Sequence, residues 1–286
     1  MAAGAILWGL LGLFFKAGLG YGLTPLALAF MRSWLTLALL AVGLALWRPR
    51  LLRIWPRDLP YFALFGGVSV ALFYWVYIVA VDLTSVATAA VLLYTAPAWV
   101  TILAWRLYGE SLGRRHLVAL GLAFVGCVLV ARAYDPAQLR VNWVGLLAGL
   151  GAGFTYAMYS ILGVPVLRRY APTTVVMWAV LFGALLLTPF VLLAGLAGLA
   201  PVAAPSPLWL WLVGMAAGPT VGALLLYTSG LKRVPAGVAS ITATLEPVVA
   251  TLVAVFVLNE SLEPWQIVGG VLILAGILLL AWQPRS

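Results

Sequence analysis

Hydrophobic residues run through this chain in long stretches, separated by short polar connections. A hydrocarbon core of about 30 Å, crossed at about 1.5 Å per residue, calls for roughly 20 apolar residues in a helix. Ten stretches meet that length: 3–20, 25–47, 58–80, 84–108, 113–131, 141–162, 172–197, 207–230, 235–258 and 264–282. The longest polar connection, Arg48 to Asp58, is too short to hold a soluble domain. The first stretch has no basic lead-in before Ala5 to Phe15, so it reads as a membrane helix and not as a secretory signal. The pattern predicts an all-α membrane protein of ten transmembrane helices.

The polar connections set an orientation. With the N-terminus in the cytoplasm, one side collects Arg48, Arg50, Arg53, Arg57, Arg106, Arg114, Arg115, Arg168, Arg169, Lys232, Arg233 and Arg285. The other side holds only Arg132 and Arg140. Basic residues concentrate on the cytoplasmic side of membrane proteins. The expectation is therefore a multi-pass protein of a bacterial inner membrane with both termini in the cytoplasm. Lys16 and Arg32 complete the basic set, and both fall inside apolar runs.

Composition agrees. Hydrophobic residues make up 65% of the 286 and charged residues 8%. A soluble domain carries roughly 25% charged residues, so most of this surface faces lipid. The net charge of +9 could suggest a nucleic-acid partner, but the topology accounts for it and no nucleic-acid motif is present. One cysteine, Cys127, and one histidine, His116, leave no disulfide within the chain and no metal cluster. No cofactor is expected, and the chain does not read as an enzyme. It lacks a GxxxxGK[ST] loop and so does not itself hydrolyse ATP.

The chain also repeats. Tyr77, Pro97, Glu110-Ser111-Leu112 and Gly126 recur 150 residues later as Tyr227, Pro247, Glu260-Ser261-Leu262 and Gly276. The expected units are 1–134 and 140–286, with five helices in each. An odd number of spans turns the second unit upside down relative to the first. Such inverted repeats are a recurrent transporter architecture, because one scaffold can pack open to either side. A duplication without a rocking motion would leave the same trace.

The paired segments carry a resemblance. They run from Ala80-Val-Asp-Leu-Thr-Ser-Val-Ala-Thr-Ala-Ala through Pro97 to Gly109-Glu110-Ser111-Leu112, and from Pro235-Ala-Gly-Val-Ala-Ser through Leu245-Glu246-Pro247-Val248 to Leu258-Asn259-Glu260-Ser261-Leu262. With Trp8-Gly9 and Arg32, they resemble the EamA family of the drug/metabolite transporter superfamily over essentially the whole chain. The resemblance implies a basket-like bundle around a central cavity, lined mainly by the first, third, fourth, sixth, eighth and ninth helices. It also implies export of amino acids or other small metabolites. Asn259 stands where the family usually has Gly, at a helix end that either residue can close.

Several residues are candidates for chemistry. Glu246 lies near mid-membrane, where an acidic group costs about 2.5–3.5 kcal/mol and should face the bundle interior. It could bind a substrate amine, take up a proton, or bond to neighbouring helices. Arg32 and Lys16 could attract a carboxylate. Otherwise Lys16 snorkels to the interface and Arg32 forms a structural ion pair. Pro97 and Pro247 predict kinks in the fourth and ninth helices.

Trp8, Tyr74, Tyr77, Tyr94, Trp99, Tyr156, Tyr159 and Tyr227 fall within the candidate cavity helices and could stack on flat apolar groups. Each could equally be ordinary packing. Trp47, Trp55, Trp209, Trp211, Trp265 and Trp282 lie near helix ends, as an interfacial belt requires. Gly145, Gly149 and Gly153 form a ridge for close helix approach. Glu110 and Glu260 read as anchors at helix ends.

Together these features predict a secondary exporter of amino acids, with aromatic or hydrophobic ones favoured, working as a monomer or weak homodimer. The alternatives are an intramembrane lipid-processing enzyme and a channel for small solutes. The first needs a catalytic constellation, and the second a charged ring or carbonyl filter. The sequence offers neither.

Overall fold

The computed structural model describes residues 1–139, 142–203 and 207–281. Arg140, Trp282 and Arg285 therefore lie outside the described residues. The secondary structure is helical: α1 Ala2–Gly20, α2 Pro25–Trp47, α3 Pro56–Leu83, α4 Val86–Tyr108, α5 Arg114–Val130, α6 Trp143–Leu167, α7 Pro172–Ala194, α8 Leu208–Leu231, α9 Ala236–Leu258 and α10 Pro264–Ala281. Nine of these are at least 18 residues long and apolar enough to cross a membrane. The other, α5, has 17 residues and pairs along its length with α10. At about 1.5 Å per residue it spans close to the thinnest usable core.

The helix ends follow local chemistry. Thr24, Ser85 and Asn142 each accept a backbone N–H in the first turn of α2, α4 and α6. Gly109 and Asn259 close α4 and α9 in the left-handed conformation. Three bounds depart from the hydrophobic runs. α3 is extended to Pro56–Leu83 by polar ends that belong to the helix, and α6 continues past 162 to Leu167 through Pro165. α7 stops at Ala194 and not at 197, because Gly195 turns out at φ +89°.

Five helices per half make the repeat inverted, and the packing of α5 against α10 fixes its axis. A Cβ placed on Gly126 would sit 2.6 Å from the Gly269 carbonyl, and one on Gly276 would sit 2.8 Å from the Ala119 carbonyl. Residues 119 and 269 are repeat mates, as are 126 and 276. The helices thus cross antiparallel about a two-fold axis lying in the membrane plane. The bare glycine surfaces bring the two backbones into contact.

The interruptions repeat as well. α3 widens into a π-helical stretch at Gly67–Leu72, and α8 does so at Ala216–Gly222. α4 divides into α4a Val86–Leu93 and α4b Ala96–Tyr108, and α9 into α9a Ala236–Ala243 and α9b Leu245–Leu258. Each first half ends four residues before its proline, Pro97 or Pro247, where the ring would clash with the carbonyl. Only α1 breaks without a counterpart in α6: it divides at Leu10 into α1a Ala2–Gly9 and α1b Leu11–Gly20.

Contacts between connections show which helix ends share a face. On the face that carries the N-terminus, Asp58 pairs with Arg169 at 3.4 Å and accepts the Tyr170 hydroxyl at 2.6 Å. Trp55 N donates to that hydroxyl, and Lys232 donates to the Tyr170 carbonyl. Burial and the bond to Asp58 raise the Tyr170 phenol above its ordinary pKa, so it stays a donor. On the far face, Arg132 pairs with Glu263, which also accepts the Tyr134 hydroxyl, and Lys16 pairs with Glu260 at 3.3 Å. Trp47, Trp55 and Trp265 are exposed near helix ends, while Trp209 and Trp211 are half-buried.

Candidate functional site

Glu246 sits in the first turn of α9b, just past the break in α9. There the free N–H groups of a helix start favour negative charge. The carboxylate makes no hydrogen bond or ion pair among the described residues, and the side chain is only half-buried. It acts through space on the hydroxyls of Tyr77, Tyr94 and Tyr156 and on the Cys127 thiol. Tyr77, Tyr94 and Tyr156 are half-buried too. The acid and the three tyrosines gather inside the bundle, each with part of its surface accessible, and Cys127 is buried among the core residues.

Arg32 approaches the same cluster from α2. It is 9% exposed, and its Nε donates to Thr220 Oγ1 at 3.0 Å. Thr220 lies in the π-helical stretch of α8 and in turn donates to the Met215 carbonyl. The guanidinium lies over the Tyr74 ring at 5.5 Å. The expected structural ion pair is not made: no carboxylate comes within 4.0 Å of Arg32 among the described residues. Arg32 and Glu246 feel each other only at longer range. A hydroxyl and an aromatic face orient the cation without neutralising it.

The aromatic candidates form two groups, which meet where the Trp8 ring lies edge-on to Tyr156 at 6.4 Å. Trp8, Tyr159 and Tyr227 are buried and tied to their neighbours. Tyr159 shares a hydrogen bond with Thr228 at 2.9 Å and Tyr227 one with Ser160 at 2.7 Å, while the Trp8 and Tyr227 rings meet at 5.0 Å. They form a floor toward the N-terminal face. Tyr74, Tyr77 and Tyr156 gather instead around Phe73, at 5.2, 5.9 and 5.4 Å. Phe73, Thr220, Ser160 and Thr228 are residues that sequence reasoning missed. Phe73 had a faint signal, being one residue before Tyr74 on the same helix. Trp99 packs against the same core as Trp8, Tyr159 and Tyr227. It stacks edge-on against Phe154 of α6, which is itself exposed.

Lys16 is not held inside the membrane: it reaches the far face and pairs there with Glu260, both more than half exposed. The glycine ridge of α6 takes α4a. Gly145 meets Thr84, and Gly149 and Gly153 meet Leu92 and Thr95. α1a enters between α8 and α9 in the same way, with Gly4 on the Ala223 carbonyl and Gly9 on Val249.

A cleft of about 550 Å³ opens at the far face. Its walls are Ala250, Thr251, Ala254 and Val255 of α9b, with Arg132, Glu260, Ser261 and Gln266 at the rim. Two model matches for the EamA-like transporter family cover residues 1–132 and 143–282. The chain belongs to that family. It is a membrane transporter.

Relatives span most of its length. A transporter of Archaeoglobus fulgidus, described as uncharacterized, is 34% identical over 79% of this chain and 77% of its own. A protein of Streptantibioticus cattleyicolor, described as a probable terminal-alkyne amino-acid exporter, is 31% identical over 91% of this chain and 84% of its own. A solved structure matches the transporter's fold with a TM-score of 0.80 at 22% identity, covering 97% of this chain and 93% of that one.

Proposed function

We propose that the transporter exports amino acids, with aromatic or hydrophobic side chains favoured, across the inner membrane by alternating access between the units 1–134 and 140–286. The observation that carries this is a pair of opposite charges inside the bundle, each without an ion-pair partner among the described residues: Arg32 on α2 and Glu246 on α9b. A zwitterion supplies what both lack. Its carboxylate would take the guanidinium nitrogens that Thr220 leaves unused, and its ammonium would take Glu246. The rings of Phe73, Tyr74, Tyr77 and Tyr156 would hold an apolar or flat side chain. The amino-acid description of the S. cattleyicolor relative supports the same class.

The basic connections support a cytoplasmic N-terminal face. With no nucleotide loop, transport runs downhill or on an ion gradient, and Glu246 is the group that would exchange a proton for the substrate amine.

The test is counterflow in liposomes with a panel of amino acids and nucleobases. Saturable exchange of aromatic or hydrophobic amino acids is expected. Flat results across the panel would overturn the substrate class. Unsaturable flux would point to a channel, and lipid turnover by the purified protein to an enzyme. In the same vesicles Glu246→Gln should lose any dependence on the proton gradient.

A further inference from the structure

The repeat lets each contact on one face be compared with its mate on the other. On the N-terminal face α4b packs against α9a. Val100, Thr101 and Ala104 are covered there, at 1%, 5% and 0% exposure. Glu110, just past α4b, locks the contact. Its Oε1 accepts from Ala236 N at 2.6 Å and its Oε2 from Gly237 N at 3.0 Å. One carboxylate thus caps the first turn of α9a. The mates of Val100, Thr101, Ala104 and Glu110 are Ala250, Thr251, Ala254 and Glu260. All four line the open far-face cleft. The mate contact, α9b against α4a, is not made to a comparable extent. Glu260 is held by Lys16 instead.

We infer that Glu110 and Glu260 are exchangeable latches, one for each face, and that the structure holds the first shut and the second open. In the other state α4a moves onto Ala250, Thr251 and Ala254 and fills the cleft. Glu260 leaves Lys16 and accepts from the N–H groups of Val86 and Ala87, the mates of Ala236 and Gly237. Glu110 then releases α9a. This rests on the alternating-access reading proposed above, but not on the identity of the solute.

Two details fit a latch that must open. The Thr101 hydroxyl is buried in the closed contact without a hydrogen-bond partner among the described residues, which weakens that contact. The two latched helices also differ at their starts. α4a has a cap of its own, since Ser85 accepts from Thr88 N, whereas α9a begins after Pro235 and has no side-chain cap there. Helix α9a therefore depends on Glu110 more than α4a depends on Glu260. That bias favours the arrangement seen here.

The test needs no substrate. In a Cys127→Ser background, oxidative crosslinking of Thr101→Cys with Gly237→Cys reads closure of the N-terminal face. Crosslinking of Ala87→Cys with Thr251→Cys reads closure of the far face. Glu110→Gln should lower the first yield relative to the second by roughly tenfold, the scale of losing a charged helix cap. Glu260→Gln should move the ratio the opposite way. Lys16→Gln, which frees Glu260, should raise far-face crosslinking by a few-fold at most, as befits an exposed pair. Opposite signs from the two glutamine variants support exchange. If both shift the ratio in the same direction, or if Ala87→Cys and Thr251→Cys never crosslink in any variant, the latches do not exchange. Should Glu110→Gln fail to fold, the Glu260 and Lys16 variants, both at an exposed ion pair, still decide. A failed transport assay with successful crosslinking would refute the solute and leave the latch standing.

Discussion

The two halves of this molecule share a backbone plan and differ in what they have done with it. Tyr77 and Tyr227 are repeat mates, yet Tyr227 is buried, bonded to Ser160 and packed on Trp8, while Tyr77 stands half-buried on Phe73. The mate of Ser160 is Leu10, which has no hydroxyl to offer, and it is where α1 breaks. Glu246 is half-buried where its mate position carries Ala96, which is buried. One half thus closes the floor and supplies the acid, and the other leaves aromatic surface free. In an inverted repeat, symmetry builds the moving frame and the departures from symmetry build the site.

The largest effects should fall on the unshared charges. Arg32→Gln or Glu246→Gln should weaken substrate exchange by about 10- to 150-fold, since a hydrogen bond to a charged group contributes about 1.5–3 kcal/mol. An equilibrium exchange assay over substrate concentration checks this. Unchanged apparent affinity in both variants would place the solute elsewhere. Next comes the axis. Gly126→Leu drives a side chain into the Gly269 backbone and should cost 1–3 kcal/mol or more, by the scale of overpacking. Gly121→Leu, on the same helix with open space at its Cβ, should leave the melting temperature in detergent unchanged. Equal shifts in the two would mean that α5 and α10 are not the fixed post of the bundle.

A smaller effect separates the tyrosines. Tyr227→Phe removes a buried hydrogen bond with Ser160 and should lower stability by about 0.5–1.5 kcal/mol. Tyr77→Phe removes a hydroxyl with no such bond among the described residues and should leave thermal stability unaltered while changing substrate preference. Equal melting shifts would erase the distinction between floor and wall. The smallest change is expected for Lys16→Gln, whose exposed pair with Glu260 should alter overall thermal stability by no more than about 1 kcal/mol.

The frame was legible because lipid imposes a length on every helix and prolines punctuate them: the ten spans, the offset of 150 and both mid-helix breaks follow from the pattern alone. Which face of each helix looks inward was not. Lipid tails are as apolar as leucine, so a membrane helix carries little contrast between its packed and exposed sides. Trp99 shows this: it packs on the core that holds Trp8, Tyr159 and Tyr227 and also meets exposed Phe154. The hold on Arg32 was hidden for a second reason. Its partner Thr220 is 188 residues away, on a π-helical stretch that no sequence signal marks in α3 and only Pro219 hints at in α8. Arg32 was expected to need an acid. A threonine hydroxyl and a tyrosine ring position it instead.

The crossing of α5 and α10 has a consequence for chemistry far from it. Had the halves been two copies of one short peptide, every residue would occur twice around that crossing, and a lone carboxylate would bring a twin into the lipid beside it. Two like charges in so confined a space would repel each other and discourage ionisation of both. Joining the copies into one polypeptide lifts that constraint. Position 246 can hold an acid while position 96 holds a methyl group, and a scaffold with no polarity of its own comes to distinguish the two ends of what it carries.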